Sequence, residues 1–325
     1  YNEMSWAKNL SKKIGINHYG KVISSDEFWK SIKKVQYHMD QPLADPACIA
    51  LYFVSKLASE HVKVVLSGEG ADELFGGYGI YNEPRVFKTY QKILPKKFRK
   101  FLAKLVQKIP FKFKGQGFII RGANKIEDKF IGNAFMFSKK DKQKILKNPA
   151  LATRPQNLCK PIYEKAKDYD DVTKMQYLDI NMWMVGDILL KADRMSMANS
   201  LELRVPFLDK EVFKIASRIP ANLKVNKENT KYALRQAAMK RLPIDTAQKK
   251  KLGFPVPTRV WLRDKKYYGI VKDAFLSDTA EQFFNCEELI KILDDHYNGK
   301  ADNSRKVWTI YIFIVWYDLY FKELN

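Results

Sequence analysis

The residues Val62–Tyr78, VKVVLSGEGADELFGGY, decide the fold of this chain. A run of apolar, mostly β-branched residues predicts a buried strand, and it breaks at Ser67-Gly68: Val62, Val64, Val65 and Leu66. Three carboxylates then follow among glycines: Glu69, Asp72 and Glu73. Because open parallel sheets bind their ligands at the carboxyl ends of strands, this turn predicts a ligand site in an α/β fold.

Glycine-rich turns before helices commonly bind phosphate through bare N–H groups. This turn differs from them because it carries acidic side chains. Carboxylates would repel a polyphosphate. A bridging Mg²⁺ would remove the repulsion, because it takes one or two carboxylates together with phosphate oxygens. A solvated acidic turn that ends a structural strand explains the same residues equally well, since one glycine-rich loop is a weak signal.

The composition indicates an ordered chain that handles no transition metal. Hydrophobic residues make up 46% of the 325 residues and aromatic residues 13%, which excludes a disordered protein. The three cysteines are widely spaced, which predicts neither a disulfide framework nor a zinc site: Cys48, Cys159 and Cys286. The four histidines form no metal-binding pattern.

Two segments are candidates for a signal peptide and for a transmembrane helix. Tyr1–Gly20 lacks the apolar core of a signal peptide. Thr309–Tyr317 is apolar but far below the roughly 20 residues that cross a bilayer, so we expect a buried helix near the carboxyl end. These features predict a cytoplasmic protein with no transmembrane segment.

The formal net charge is +22, and the lysines that contribute to it are most concentrated between Arg85 and Lys129. Lysines recur there every four residues, which predicts one face of an amphipathic helix: Lys88, Lys92, Lys96, Lys100, Lys104 and Lys108. An ordinary surface helix is favoured, and a membrane-surface or nucleic-acid-binding helix stays open. Lysine-rich usage throughout the chain argues against nucleic acid as a partner, and a positive field also steers anionic substrates.

The remaining pattern predicts a short α/β part followed by helices. Ser24 and Glu27 form a capping box, and His18–Ile23 is a candidate second strand that would make a βαβ-like crossover with 62–66. Beyond Gly77 the pattern predicts no further parallel strand. Helical periodicity appears over 86–106, 139–146, 172–190, 231–242 and 307–321.

Several blocks of this chain resemble one family. SGEGADELFGGY at 67–78 closely resembles the synthetase-domain signature of the glutamine-hydrolysing asparagine synthetases. Three further stretches look like other blocks of that family in the same order: Asp40-Gln41-Pro42 with Asp45-Pro46, LELRVPFLD at 201–209, and KKLGFPVP at 250–257. The resemblance covers nearly the whole chain.

The resemblance implies a fold and a reaction. Residues 1–81 would be the remaining part of an adenine nucleotide alpha hydrolase-like core of the ATP pyrophosphatase (PP-loop) type, with a partial parallel sheet. Residues 82–325 would be the helical part of the same continuous synthetase domain. The implied reaction uses ATP, Mg²⁺, aspartate and ammonia, and it gives asparagine, AMP and pyrophosphate through β-aspartyl-AMP.

The resemblance also implies roles for individual residues. Glu69 would take a proton from the attacking nitrogen, Asp72 would hold Mg²⁺, and Lys251 would contact the nucleotide phosphates and neutralise charge. The backbone of the turn would line the nucleotide crevice: Ser67, Gly68 and Gly70. Family members usually have arginine where this chain has Lys249, so a bidentate contact is lost there.

The stretch 187–209, DILLKADRMSMANSLELRVPFLD, carries charged residues among apolar ones. Such charges must pair with one another or face a polar ligand. In the family this block lies beside the active site, which implies that four residues order the substrate pocket: Asp193, Arg194, Glu202 and Arg204.

The chain departs from the family pattern at its amino end. The family's S-G-G-x-D-S loop is missing, and so is the glutaminase domain that releases ammonia from glutamine. We therefore expect a fragment of a longer enzyme rather than a split or degenerate one. An amidotransferase for another carboxylate and a non-catalytic scaffold or polyanion-binding helical module remain alternatives, and a homodimer stays open.

Overall fold

The computed structural model describes residues 4–109, 111, 113–133, 135–249, 253 and 255–323, most of which are helical. The α-helices follow one another along the described chain as α1 Met4–Ile14, α2 Ser25–Lys30, α3 Ile32–Met39, α4 Ala47–Ser59, α5 Ala71–Phe75, α6 Glu83–Ile93, α7 Lys96–Gln107, α8 Gln116–Gly122, α9 Ile126–Lys129, α10 Lys139–Ile145, α11 Pro155–Lys165, α12 Asp171–Asn181, α13 Leu190–Met197, α14 Lys210–Arg218, α15 Ala221–Lys224, α16 Tyr232–Met239, α17 Ile244–Ala247, α18 Thr258–Trp261, α19 Lys265–Phe275, α20 Asp278–Phe283, α21 Cys286–Tyr297 and α22 Ser304–Asp318. Two π-helical segments, Met184–Leu189 and Leu319–Glu323, lead into α13 and follow α22.

A small parallel sheet lies among these helices. Its two strands are β1 Val64–Leu66 and β2 Glu202–Arg204, paired with Val64 opposite Glu202 and Leu66 opposite Arg204. The sequence prediction of a predominantly helical α/β fold is confirmed.

Three sequence predictions about strands are wrong. His18–Ile23 forms no strand, so the βαβ crossover that it would start does not exist. A second parallel strand does exist beyond Gly77, namely β2, whose three residues are too few to show a period. The strand β1 is not buried: Val64 is 56% exposed and Leu66 is 74% exposed, so the face of the sheet to which both side chains point is open to solvent.

The lysine-rich face predicted over 88–108 is divided between two helices. α6 ends at Ile93 and α7 begins at Lys96, with Pro95 between them. Proline disfavours helical geometry in the residue before it, and Leu94 is indeed extended with φ −103° and ψ 126°. The prediction of one continuous helical face is therefore wrong, although both halves are helical.

The principal core is built from apolar faces of the first and last helices. α2, α3 and α4 bury Phe28, Val35 and Ile49 against α19, α21 and α22. The predicted capping box of Ser24 and Glu27 starts α2. α22 buries most of 309–317, so the predicted buried helix is confirmed. Among the described residues, no helix combines the length and apolarity needed to span a bilayer.

A second core includes residues of α12, which packs against the helix that follows the acidic turn. Tyr81, Met175 and Leu178 are fully buried together. From α12, the Gln176 side-chain amide donates to the carbonyls of Glu73 at 2.5 Å and Leu74 at 3.0 Å. These bonds fix α5 against α12, so the acidic turn has a rigid support.

Candidate functional site

The turn after β1 is held at both ends. The Ser67 amide donates to the Arg204 carbonyl at 2.8 Å, which extends the pairing with β2 by one bond. Gly70 has φ +86° and directly precedes α5. A Cβ atom at Gly70 would overlap the side chain of Leu208, so only glycine fits this corner.

The turn opens into a cleft of about 770 Å³. Polar lining residues come from segments that are far apart in sequence: Asp45, Ser67, Glu69, Asp72, Glu73, Tyr78, Trp183, Lys191, Lys231, Arg235, Thr246 and Lys249. Gly70 and Gly253 contribute backbone. Carboxylates and cations thus face one cavity, as a site for a charged ligand requires.

The cleft contains part of the residue set predicted from the sequence. Ser67, Glu69, Gly70 and Asp72 line it, whereas Gly68 is solvent-exposed and not among its lining residues. Lys251 lies outside the described residues. Lys249 and Gly253, on either side of it in sequence, line the cleft, and a contact of Lys251 with the nucleotide stays a prediction.

Glu69 is the half-buried carboxylate of the turn. Burial raises its pKa above the ordinary value, and the negative charges of Glu73 and Asp72 act in the same direction. The Lys191 ammonium and a hydrogen bond with Ser67 oppose this shift. Glu69 is therefore a stronger base than a surface glutamate, and it lies at the cleft surface.

Glu73 points into a closed polar network beneath the turn. Its Oε1 accepts a hydrogen bond of 2.5 Å from the Tyr78 hydroxyl, which in turn accepts one of 3.1 Å from Trp183 Nε1. Burial, and then the charge of Glu73, raise the pKa of Tyr78. The hydroxyl therefore stays protonated, and it holds Glu73 in place behind Glu69 and Asp72.

A buried lysine lies at the back of the cleft. Lys191 Nζ is 2.5 Å from Asp45 Oδ2 and 3.3 Å from Asp187 Oδ2, and all three side chains are largely shielded. Burial alone would lower the lysine pKa, but Asp45 and Asp187 outweigh it and raise the pKa. Lys191 thus places a permanent positive charge beside Glu69. Sequence reasoning missed this role, although the spacing of Asp187 and Lys191 was a usable signal.

A second ion pair closes the front of the turn. Lys231 Nζ is 2.9 Å from Asp72 Oδ1, with about a quarter of each side chain exposed. Lys231 adopts a left-handed backbone with φ 54°, and its amide donates to the Gly76 carbonyl at 3.2 Å. Non-glycine residues in this conformation are strained, so the surrounding contacts hold Lys231 in position. The sequence analysis did not single out Lys231.

Gly77 permits this ion pair by its lack of a side chain. A Cβ atom there would overlap Asp72 Oδ1 and the Lys231 side chain. We expect Gly77→Ala to separate the pair and to destabilise the fold by about 1–3 kcal/mol through overpacking. Urea unfolding of this variant measures the effect.

Gly79→Ala is the matched control, because a Cβ atom at Gly79 meets nothing within 4 Å. Its effect should stay within about 0.5 kcal/mol. Equal losses in both variants would show that the ion pair does not depend on the space at Gly77.

An arginine anchors the far wall of the cleft. Arg235 Nη1 donates to the carbonyls of Ala247 and Lys249, both at 2.8 Å, and its Nε donates to the Thr230 carbonyl at 2.8 Å. These bonds attach the segment after α17 to α16. The backbone of Lys249 is therefore held in place at the cleft.

The four residues predicted to order the substrate pocket are not among those lining the cleft. On α13, Asp193 is exposed, and Arg194 Nη2 lies 2.8 Å from Asp40 Oδ2. On β2, Glu202 and Arg204 pair with each other at 3.0 Å. Both segments adjoin the cleft through Lys191 and through β1, so a supporting role stays a prediction.

The donor set of the turn suits a hard cation. Asp72 and Glu69 offer carboxylate oxygens at the cleft surface, and Asp72 Oδ1 is paired with Lys231 at 2.9 Å, a contact that a bound cation would have to replace. Within the described residues, no group of three or more potential ligands could hold a metal by itself. A magnesium ion here would need substrate oxygens to complete its shell, as is usual for Mg²⁺ bound with phosphates.

Comparison with known proteins identifies the family. A family model described as asparagine synthase matches residues 1–318. The chain is 45% identical over 321 residues to asparagine synthetase [glutamine-hydrolyzing] 1 of Bacillus subtilis, covering 98% of this chain and 50% of that protein. It is 28% identical over 252 residues to asparagine synthetase [glutamine-hydrolyzing] 3 of the same organism, covering 77% of this chain and 36% of that protein.

A Mycobacterium tuberculosis protein, provisionally named a glutamine-hydrolysing asparagine synthetase, is 40% identical over 323 residues, covering 99% of this chain and 49% of that protein. The chain thus spans about half the length of the curated relatives that match nearly all of it. Because the family model covers almost every residue, the chain belongs to the asparagine synthase family.

Proposed function

We propose that this chain carries the synthetase part of an asparagine synthetase, which activates the β-carboxylate of aspartate with ATP and transfers ammonia to it. The observation that carries the proposal is the single cleft in which the Ser67–Asp72 turn faces Lys191 and Lys231. The B. subtilis relative at 45% identity is named asparagine synthetase [glutamine-hydrolyzing] 1, which is consistent with this proposal.

The reaction explains why carboxylates and cations share one cavity. A free carboxylate accepts ammonia poorly, since it is already negative and its oxygen is a poor leaving group. Attack of the aspartate β-carboxylate oxygen on the α-phosphorus of ATP forms β-aspartyl-AMP and releases pyrophosphate. Ammonia then attacks the acyl carbon, AMP leaves, and the nitrogen loses a proton.

The cations of the cleft would neutralise the polyphosphate. Lys231 and Lys249 lie at its walls, and Lys251 would reach the phosphates from the same segment as Lys249. Asp72 would hold magnesium together with phosphate oxygens, and the bound ion would offset the charge of the departing pyrophosphate. The backbone of Ser67, Gly68 and Gly70 would line the nucleotide crevice.

Glu69 would act as the general base for the ammonia nitrogen. Its raised pKa suits this task, because a base stronger than an ordinary carboxylate accepts a proton more readily near neutral pH. Asp193, Arg194, Glu202 and Arg204 would order the surrounding helix and strand rather than touch reacting atoms. That role fits their position outside the cleft lining.

We further propose that residues 1–81 belong to an ATP pyrophosphatase (PP-loop) type core, continuous with the helical region 82–325, and that the whole works as part of a longer glutamine-hydrolysing enzyme. The exposed apolar side chains of β1 support this, since Val64 and Leu66 lie on a face that sheets of this parallel type normally cover with helices. The half-length match to relatives is consistent with it.

Aspartate-dependent exchange of labelled pyrophosphate into ATP tests the proposal. We expect exchange, and asparagine formation with ammonia, from the chain extended by its encoded upstream residues, and far less from the chain alone. Exchange with a different carboxylic acid but not with aspartate would identify another amidotransferase. Failure of every acid to support exchange would indicate a non-catalytic module.

A further inference from the structure

The segment between Pro84 and Ile126 forms a basic surface apart from the cleft. It contains ten lysines, three arginines and no acidic residue, so it carries +13 of the formal net charge of +22. α6, α7 and α8 hold most of it, and none of its described residues lines the cleft. The proposed reaction therefore leaves this concentration of charge unexplained.

α7 has an apolar face turned away from the protein in addition to its packed face. Ala103 and Val106 are buried on the packed side. Three further apolar residues, which we call the α7 stripe, lie side by side at helical spacing and are 49%, 58% and 47% exposed: Phe98, Phe101 and Leu105. Large exposed apolar side chains grouped together mark interaction surfaces.

Lysines border the α7 stripe along the helix. Lys97, Lys100, Lys104 and Lys108 are all exposed, and their spacing of three or four residues makes them a second row beside the stripe. Arg99 has a different role, since it donates to the carbonyls of Leu94 and Gly122 within the protein. The outer side of α7 is thus an apolar stripe with a purely cationic border.

This combination fits an anionic bilayer better than other polyanions. Interfacial helices insert an apolar face at the boundary of headgroups and acyl chains while lysines stay with anionic headgroups. A nucleic acid would use the lysines and stack on the phenylalanines, but it would leave Leu105 unused. We propose that α7 docks this protein reversibly onto the surface of a bilayer containing anionic phospholipid.

Vesicle co-sedimentation tests the proposal on the chain as it stands. We expect binding to vesicles of phosphatidylcholine with phosphatidylglycerol to be at least about 10-fold tighter than to phosphatidylcholine alone. Added salt should weaken this binding, because it screens the lysine charges. Equal binding to both vesicles, or none to the anionic ones, would overturn the proposal. The assay needs no ATP or aspartate, so its outcome is independent of the proposed reaction.

Substitutions in the α7 stripe separate apolar docking from charge alone. Phe98→Ser with Phe101→Ser should weaken vesicle binding about 10-fold or more, whereas Phe98→Leu with Phe101→Leu should retain most of it. Phe213→Ser on α14 is the matched control, since Phe213 is 45% exposed but lies outside the basic segment. Circular dichroism and thermal melting verify that the variants fold alike.

Three results would exclude the bilayer as the partner. The serine variant could bind vesicles as tightly as the parent, which would mean that the lysines alone bind the vesicles and that the α7 stripe does not insert. Parent and serine variant could both bind single-stranded DNA more tightly than anionic vesicles, which would indicate a polyanion-binding module. Sedimentation velocity could show a dimer that only the stripe substitutions dissociate, which would assign the stripe to a second copy of the chain.

Discussion

We expect Glu69→Gln to abolish asparagine formation while aspartate-dependent exchange of pyrophosphate into ATP continues. Adenylation needs cations and a positioned nucleotide, but it removes no proton from aspartate, whose carboxylate is already ionised. Glutamine keeps the size of the Glu69 side chain and loses the base. The substitution should be made in the form of the protein that supports this exchange.

General bases typically contribute 10²–10⁴-fold to a rate, so we expect asparagine formation to fall by at least about 100-fold. Burial raises the pKa of Glu69, so the parent enzyme should lose amide formation on acidification at a higher pH than an ordinary glutamate would cause. The variant should lack this part of the pH profile. Both rates are measured with saturating ammonia, which removes any dependence on glutamine hydrolysis.

Glu60→Gln is the matched control for Glu69→Gln. Glu60 ends α4, is exposed and does not line the cleft, so both rates should be unchanged. A parallel loss of exchange and amide formation in Glu69→Gln would contradict a role confined to the second step. It would instead place Glu69 in nucleotide or aspartate binding.

The second large effect concerns stability. We expect Lys191→Met to lower the free energy of unfolding by about 3–5 kcal/mol, because it leaves the shielded carboxylates of Asp45 and Asp187 without their cation. Methionine fills nearly the same space, so the loss reports charge rather than a cavity. Lys214→Met on α14 removes an exposed pair with Glu211 and should cost no more than about 1 kcal/mol.

The stability lost in Lys191→Met should be smaller at pH 5 than at pH 8. Burial raises the pKa of Asp187 to about 6, reinforced by Asp45 and opposed by Lys191. Removing Lys191 raises that pKa further, so the folded variant holds a proton that the unfolded chain releases above about 3.9. Its stability therefore rises as the pH falls from 8 to 5, and the deficit shrinks.

Urea unfolding at both pH values measures this deficit. Adding Asp187→Asn to Lys191→Met should recover part of the lost stability at pH 8, because it removes one of the two stranded charges. A deficit that does not change with pH and is not reduced in the double variant would mean that Lys191 contributes by packing alone.

Part of the cleft was predictable because its chemistry is local. Ser67, Glu69 and Asp72 lie in one short turn, and the same residues that identify it also fold it. Lys191 and Lys231 were not predicted as site residues. Lys191 pairs with Asp45 and Lys231 pairs with Asp72, and the two residues of each pair are more than 140 positions apart in sequence.

The errors about strands have a related cause. A three-residue strand such as β2 has no measurable period, and its identity rests on hydrogen bonds with β1. His18–Ile23 has a strand-like composition but no such partner. Strand formation depends on a neighbour, whereas the capping box of Ser24 and Glu27 is complete within four residues and was predicted correctly.

The amino-acid sequence by itself determined the family, the helical character and the acidic turn at 67–72, since motifs, periodicity and caps depend on residues a few positions apart. Only the tertiary structure decided which cations meet the acidic turn, that β1 stays exposed, and that the α7 stripe faces away from the protein. These features arise from contacts between distant segments. Burial and charge at such contacts depend on the whole packing, which no local pattern records.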